Sequence, residues 1–187
     1  MSGTAFPLPD GLPAPVDDGA AAHLPGTALP AVVLPATDGG EVDLAGLGPG
    51  RTVLYVYPMT GRPDVALPDG WDEIPGARGC TPESCGFRDH FADLRAAGAT
   101  TVHGISTQDT VDQREAAERL ALPFSLLSDA GRVLAAELGL PTFEVEGRAL
   151  YRRLTLIASG GRVEHVFYPV FPPDRHAADV LAWLKTH

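Results

Sequence analysis

Only two cysteines occur in the chain, and they lie five residues apart in Gly79-Cys80-Thr81-Pro82-Glu83-Ser84-Cys85-Gly86-Phe87-Arg88-Asp89. Thr81 followed by Pro82 is helix-start chemistry, with Thr81 as N-cap and Pro82 at the first helical position. Cys80 therefore precedes or opens a helix. The unpaired N–H groups and the positive dipole end at such a start favour an anion. For a cysteine this means a lowered pKa and more thiolate, the nucleophilic form. Arg78 adds positive charge nearby. Cys80 is the candidate nucleophile.

Cys85 falls on the same helix. Five residues along an ideal helix separate the two Cα atoms by roughly 8.5–9 Å, whereas a disulfide needs about 4.4–6.8 Å. Pairing the two sulfurs requires the first turns to unwind, so oxidation and a conformational change are coupled. Gly76, Gly79 and Gly86 bracket the segment and ease that movement. The pair admits two other readings. An inert structural pair is one. A metal set of Cys80, Cys85 and His90 is the other, but positions five apart on a helix are rotated by roughly 140°, so the three do not converge on one ion. The absence of Cys-x-x-Cys weakens a simple dithiol oxidoreductase reading.

The elements that must hold these residues alternate along the chain. Ala31–Leu34 is a short apolar run, Thr37–Gly40 is turn chemistry, and Glu41–Leu44 alternates like a small strand. Arg51–Tyr57 is β-branched, aromatic and nearly all apolar, which suits a central strand buried on both faces. Pro58 stops it, and residues 59–74 follow as a Gly-, Pro- and Asp-rich insertion of a length that is uncommon unless functional. Beyond the cysteine helix, which Gly98 ends, come a strand at 101–106, a charged helix at 109–120, a strand at 124–127 and a helix at 132–138. A hairpin of 153–158 and 162–167 turns at Ser159-Gly160-Gly161, and a last helix spans about 174–185 with Ala178, Leu181 and Trp183 inward. The order predicts an α/β class with a mixed central β-sheet flanked by helices on both faces, compatible with a thioredoxin-like fold. Residues 1–26 read as a loosely ordered Pro/Gly-rich arm and 27–187 as one domain with the insertion at about 59–74.

The whole chain of 187 residues has room for one real core, and its formal net charge of −10 argues against nucleic acid and anionic membranes as partners. No stretch approaches the roughly 18 apolar residues of a membrane span. The N-terminal residues lack a basic n-region and an apolar h-region, so a cytoplasmic location is the expectation. Gly46–Gly50 lacks the spacing of a dinucleotide loop.

Taken together, these segments resemble the peroxiredoxin family, most closely its bacterioferritin-comigratory or PrxQ subgroup, over residues 28–187. The likeness rests on Leu29-Pro30 through Leu44, Val53–Pro58, Gly104–Thr107, Pro123–Asp129, Glu164–Phe167 and Val180–Leu184. The Cys-x4-Cys followed by Gly-x-Arg-Asp is specific to two-cysteine members of that subgroup. The resemblance implies that Cys80 is peroxidatic and Cys85 resolving. Peroxide would be the substrate, a thioredoxin-type dithiol the reductant, and no metal, haem or flavin would be needed; the assembly would be a monomer or homodimer. The resemblance also implies an Arg on a strand facing the peroxidatic sulfur: Arg153 in Arg153-Leu154-Thr155, with Arg152 as rival because one residue of slip reverses the facing. A guanidinium there stabilises the thiolate and the departing hydroxide. The family's motif hydroxyl has no counterpart at Ala77, because the insertion splits the loop. Thr60 is the expected replacement, with Thr81 and Ser84 as alternatives. Two other functions stay open on this fold, a redox sensor with little turnover and a thiol oxidoreductase that does not use peroxide.

Overall fold

The computed structural model describes residues 6–187. Two short strands, β1 (Val33–Pro35) and β2 (Glu41–Asp43), pair antiparallel across the Asp38-Gly39 turn. Next come β3 (Arg51–Val56), helices α1 (Cys80–Asp89) and α2 (Phe91–Ala96), and β4 (Ala99–Ser106). Then follow α3 (Thr110–Arg119), β5 (Leu126–Ser128), α4 (Val133–Leu138), β6 (Thr142–Val145), β7 (Arg148–Tyr151), β8 (Leu154–Ser159), β9 (Arg162–Phe167) and α5 (His176–Thr186). Among the described residues, no helix is long and apolar enough to cross a membrane.

Five strands form the main sheet in the order β5-β4-β3-β8-β9. β3 is central, parallel to β4 and antiparallel to β8. Its alternation decides the layers. Val53, Tyr55 and Tyr57 face one core, with Phe87, Leu94, Ala116, Val180 and Leu181 from α1, α2, α3 and α5. Leu54 and Val56 face the other, with Leu134 and Leu138 of α4. Helices thus cover both faces of a mixed sheet. Gly160 and Gly161 both adopt positive φ between Ser159 and Arg162, the two-residue turn that a tight hairpin with right-handed strand twist requires.

The structure corrects three details of the sequence reading. The helix expected to run to Gly98 is broken at His90 into α1 and α2. On α5, Ala178 is exposed and Trp183 half-buried; the inward face is Ala177, Val180, Leu181 and Leu184. The hairpin of β6 and β7 has no clear sequence signature, because its strands are only four residues each.

The N-terminal arm is also ordered where it is described. Ala21 and Leu24 are buried in the core with Leu34, Leu134 and Leu138. His23 Nε2 lies 2.8 Å from the Leu138 carbonyl at the end of α4. The Tyr168 hydroxyl donates to Asp18 at 2.9 Å. Its Pro and Gly content signals an absence of helix and strand, and gives no measure of how much of it packs. Leu24 is fully buried, so Leu24→Ala should lower stability by about 2–5 kcal/mol in urea unfolding. A change within a few tenths would mean that the arm adheres without contributing.

Candidate active site

The site is built where β3 ends. Burial of its aromatic face fixes the direction in which the chain leaves the sheet: Tyr55 stacks on Phe87 of α1 with centroids 4.5 Å apart. Beyond Pro58 the insertion loops out and returns through Pro75–Gly79 to the start of α1. Within it, Trp71 opens a 3-10 turn at Trp71–Glu73 and packs with Ala77 and Leu150, against Leu67, Ile74 and Phe143. The insertion therefore rests on the β6–β7 hairpin, and Arg119 of α3 clamps its other flank by donating to the Gly61 carbonyl at 2.9 Å.

The cap of α1 differs from the expected one. Gly79 is the N-cap, at φ 112°, and Cys80 is already the first helical residue. A side chain at 79 would strain this backbone and would place its Cβ 2.3 Å from Pro173 Cγ and 3.0 Å from Leu8 Cδ2. Only glycine permits this close passage of the loop beneath the arm and the start of α5.

Cys80 is 4% exposed, with its sulfur in a dense polar setting. Arg153 Nη2 donates to Sγ at 3.2 Å. The Met59 backbone N–H favours the thiolate weakly, and Sγ lies 3.7 Å from the Ala77 carbonyl. Arg153 is the arginine that faces inward; Arg152 stays outside with its guanidinium 5.9 Å above the Phe143 ring. The reason is register: Arg153 immediately precedes β8, whose residues pair with β3 from Leu154 onward.

Arg153 does more than touch sulfur. Its nitrogens donate to the carbonyls of Gly76 (3.2 and 3.3 Å), Ala77 (3.1 Å) and Arg78 (3.4 Å). Nη1 donates to the Glu83 carboxylate. The two side chains of this ion pair are 1% and 0% exposed. Sequence analysis assigns Glu83 no role in the site. Its signal was its place three residues after Cys80, one turn along the same helix face, combined with the need of a buried arginine for a counter-ion.

These neighbours act on ionisation in opposite senses. Burial pushes the Cys80 thiol up, Arg153 pulls it back and Glu83 pushes it up again, leaving it above the ordinary cysteine value. This corrects the expectation of a lowered pKa from the helix start and Arg78. The Arg78 guanidinium is paired with Asp72 at 2.8 Å. Burial raises Glu83 to about 7 against the pull of Arg153, and one of its carboxylate oxygens has no partner among the described residues.

Among the described residues the Thr60 hydroxyl bonds Gln108 and not the sulfur. Its hydroxyl donates to Gln108 Oε1 at 3.2 Å, and its backbone N–H and carbonyl bond to the same carboxamide at 2.9 and 3.2 Å. The split loop anchors Thr60 on the segment after β4. Ser84 is also committed, 3.0 Å from the buried Tyr55 hydroxyl. Thr81 remains, and it lines the same cavity as Cys80. Cys85 is a free thiol, as is Cys80, in an unbroken helix. It lies 7% exposed, with burial pushing it up and Arg88 opposing.

A family model described as Redoxin matches residues 24–182. The chloroplastic peroxiredoxin Q of Oryza sativa subsp. japonica is 31% identical over 161 residues, which is 86% of this chain and 66% of the rice protein. The chloroplastic peroxiredoxin Q of Sedum lineare is 30% identical over 161 residues, 86% of this chain and 77% of that one. The chain thus spans just under two thirds of the rice protein. Among solved structures, peroxidoxin BcpB of Mycobacterium tuberculosis superposes with a TM-score of 0.70 at 29% identity, covering 88% of this chain and 98% of that one. A peroxiredoxin Q of Xanthomonas campestris shares the thioredoxin-like fold, with a TM-score of 0.68 at 24% identity, over 88% and 97% of the two chains.

Replacing Arg153 by Met removes the one large influence that holds the Cys80 thiol down. Titration of the ultraviolet thiolate absorbance should show the thiol of the variant ionising at higher pH than in the parent, with Arg153→Lys between them. An unchanged or lower titration would break the link between this guanidinium and the sulfur.

Proposed function

The chain belongs to the redoxin family and, within it, to the peroxiredoxins of the Q type, and from that premise we propose that it is a thiol peroxidase acting through Cys80. The observation that carries the reading is the Arg153 guanidinium 3.2 Å from Cys80 Sγ at the wall of an open cavity. The Cys80 thiolate attacks the distal oxygen of a hydroperoxide. The S–O bond forms as the O–O bond breaks, sulfur is oxidised to sulfenic acid, and the departing alkoxide or hydroxide takes a proton to leave as alcohol or water. Arg153 stabilises the anion before and after transfer. Thr81, the hydroxyl that shares the cavity with the sulfur, is assigned to positioning the peroxide.

Cys85 then attacks the sulfenic sulfur; a disulfide forms and water leaves. A dithiol of the thioredoxin type reduces that disulfide and restores both thiols. The compartment must contain such a donor, and the cytoplasm is the one we propose. The buried ion pair of Arg153 and Glu83 favours this reading over a redox sensor, because it places a fixed positive group where charge develops during peroxide cleavage.

Cys80→Ser should abolish peroxide consumption in a dithiol-coupled assay. Cys85→Ser should perform one round per sulfur, with mass spectrometry showing an oxidised Cys80 and no internal disulfide. Wild-type turnover by the Cys80 variant would overturn the assignment. Full turnover by the Cys85 variant would overturn the resolving role.

A further inference from the structure

The arm touches the loop that carries Cys80 at two points. A side chain begun at Gly79 would lie 3.0 Å from Leu8 Cδ2, and one begun at Gly76 would lie 3.4 Å from Pro15 Cγ. Leu8 and Pro15 thus rest on the two ends of the segment Gly76–Gly79 that leads into α1. Arg153 holds the carbonyls of Gly76, Ala77 and Arg78 in the same segment. Further along, the arm is tied down: the Tyr168 hydroxyl donates to Asp18 at 2.9 Å, and Ala21 and Leu24 are buried in the core. Its sequence suits a strap. Pro7, Pro9, Pro13 and Pro15 fix their own φ and favour extended neighbours, so little chain entropy is lost when the segment lies flat. The strap precedes the family-matched span, which begins at residue 24, and is an addition to the framework.

A sulfenic acid on Cys80 has two fates. In one, Cys85 attacks the Cys80 sulfur: the S–S bond forms, the S–O bond breaks, and the hydroxide leaves with the thiol proton as water. That fate needs the first turn of α1 to open, because the intact helix holds the two Cα atoms too far apart. In the other, the sulfenic sulfur attacks a second peroxide: a second S–O bond forms, the O–O bond breaks, and the products are a sulfinic acid and water or an alcohol. That fate needs Cys80 to stay beside Arg153. The hydrogen bond that closes the first turn runs from the Glu83 N–H to the Gly79 carbonyl at 3.0 Å, and Gly79 is the residue beneath Leu8. Whatever presses Gly76–Gly79 down favours the second fate over the first.

We propose that Leu8 and Pro15 are positioning residues for the resolving step: the arm straps Gly76–Gly79 in the closed geometry, slows the opening of α1, and leaves the Cys80 sulfenic acid open to a second peroxide. This rests on the peroxidase reading above. The two residues act through the loop, on the balance between its closed and open forms.

The test mixes the reduced full chain with a graded excess of hydrogen peroxide, quenches it, and measures Cys80 sulfinate and Cys80–Cys85 disulfide by mass spectrometry. Leu8→Ser and Pro15→Gly loosen the strap where it meets the loop; Tyr168→Phe removes only its hydrogen bond to Asp18 and serves if the other two fail to fold. Leu184→Ala, in the core near the C-terminal end of α5, is the control for a general loss of stability. The peroxide concentration that gives equal sulfinate and disulfide should rise by about fivefold or more in Leu8→Ser and Pro15→Gly, a factor equivalent to about 1 kcal/mol. Tyr168→Phe should raise it in the same direction, and Leu184→Ala should leave it in place. Amide exchange in the first turn of α1 of the reduced protein should quicken in the strap variants, a reading that needs no peroxide. A midpoint unmoved in the strap variants, an equal rise in Leu184→Ala, unchanged exchange, or a parent that forms only disulfide at any peroxide concentration would overturn the inference. Sulfinate without disulfide in every variant would instead refute the resolving role of Cys85, and a Cys80 that no peroxide oxidises would refute the peroxidase reading itself.

Discussion

The site depends on one buried cation. Arg153 leaves water almost completely, at a penalty of several kcal/mol for an uncompensated ion. It is tolerated because nearly all of its donor capacity is used: a carboxylate, a sulfur and three consecutive carbonyls surround it. Those carbonyls belong to Gly76, Ala77 and Arg78, the loop that delivers Cys80. The guanidinium therefore fixes the loop and polarises the nucleophile at once. Glu83 completes the charge balance from the first turn of α1, so strand, loop and helix meet on a single group.

That arrangement makes two states of the protein exclusive. With α1 intact, Cys80 sits against Arg153 and Cys85 lies more than one turn away, too far for a disulfide by the geometry of the helix. Bringing the sulfurs together requires the first turn to open, which separates Cys80 from Arg153 and disturbs Glu83. The active geometry and the oxidised geometry thus compete for the same residues. The arm lies on this junction as well: Pro15 packs over Gly76, at 3.4 Å from where a side chain would begin, and Leu8 lies over Gly79.

Much of this was legible before any coordinates. Strand β3 announced itself by a continuous apolar run, the β8–β9 hairpin by its Gly-Gly turn, and the cysteine pair by the helix start around it. These signals are local, written in residues that are neighbours in sequence. What escaped depends on distant partners. Nothing near Thr60 says that Gln108, 48 residues on, will bind its hydroxyl. Nothing in the Pro-rich arm says that Leu24 will reach the core. Glu83 gives no local sign of its role, because an acid in a first turn suits the helix dipole whether or not it is buried. The choice between Arg152 and Arg153 needed strand register, which is set by pairing with β3.

A thiol raised by burial looks ill suited to be a nucleophile, since less of it is ionised at neutral pH. Two effects offset the loss. Thiolate reactivity grows with thiol pKa, with a Brønsted slope of about 0.4–0.5, so each ionised sulfur is intrinsically more reactive. The same low-dielectric setting that disfavours the free thiolate also magnifies the attraction of Arg153 for negative charge. That charge is present on sulfur before attack and on the departing oxygen after it. A guanidinium already bound to its carbonyls and to Glu83 needs no reorganisation as the charge moves. In this site, burial costs ground-state thiolate and stabilises the transition state. Which effect dominates is fixed by Arg153 remaining within hydrogen-bonding distance of the sulfur throughout.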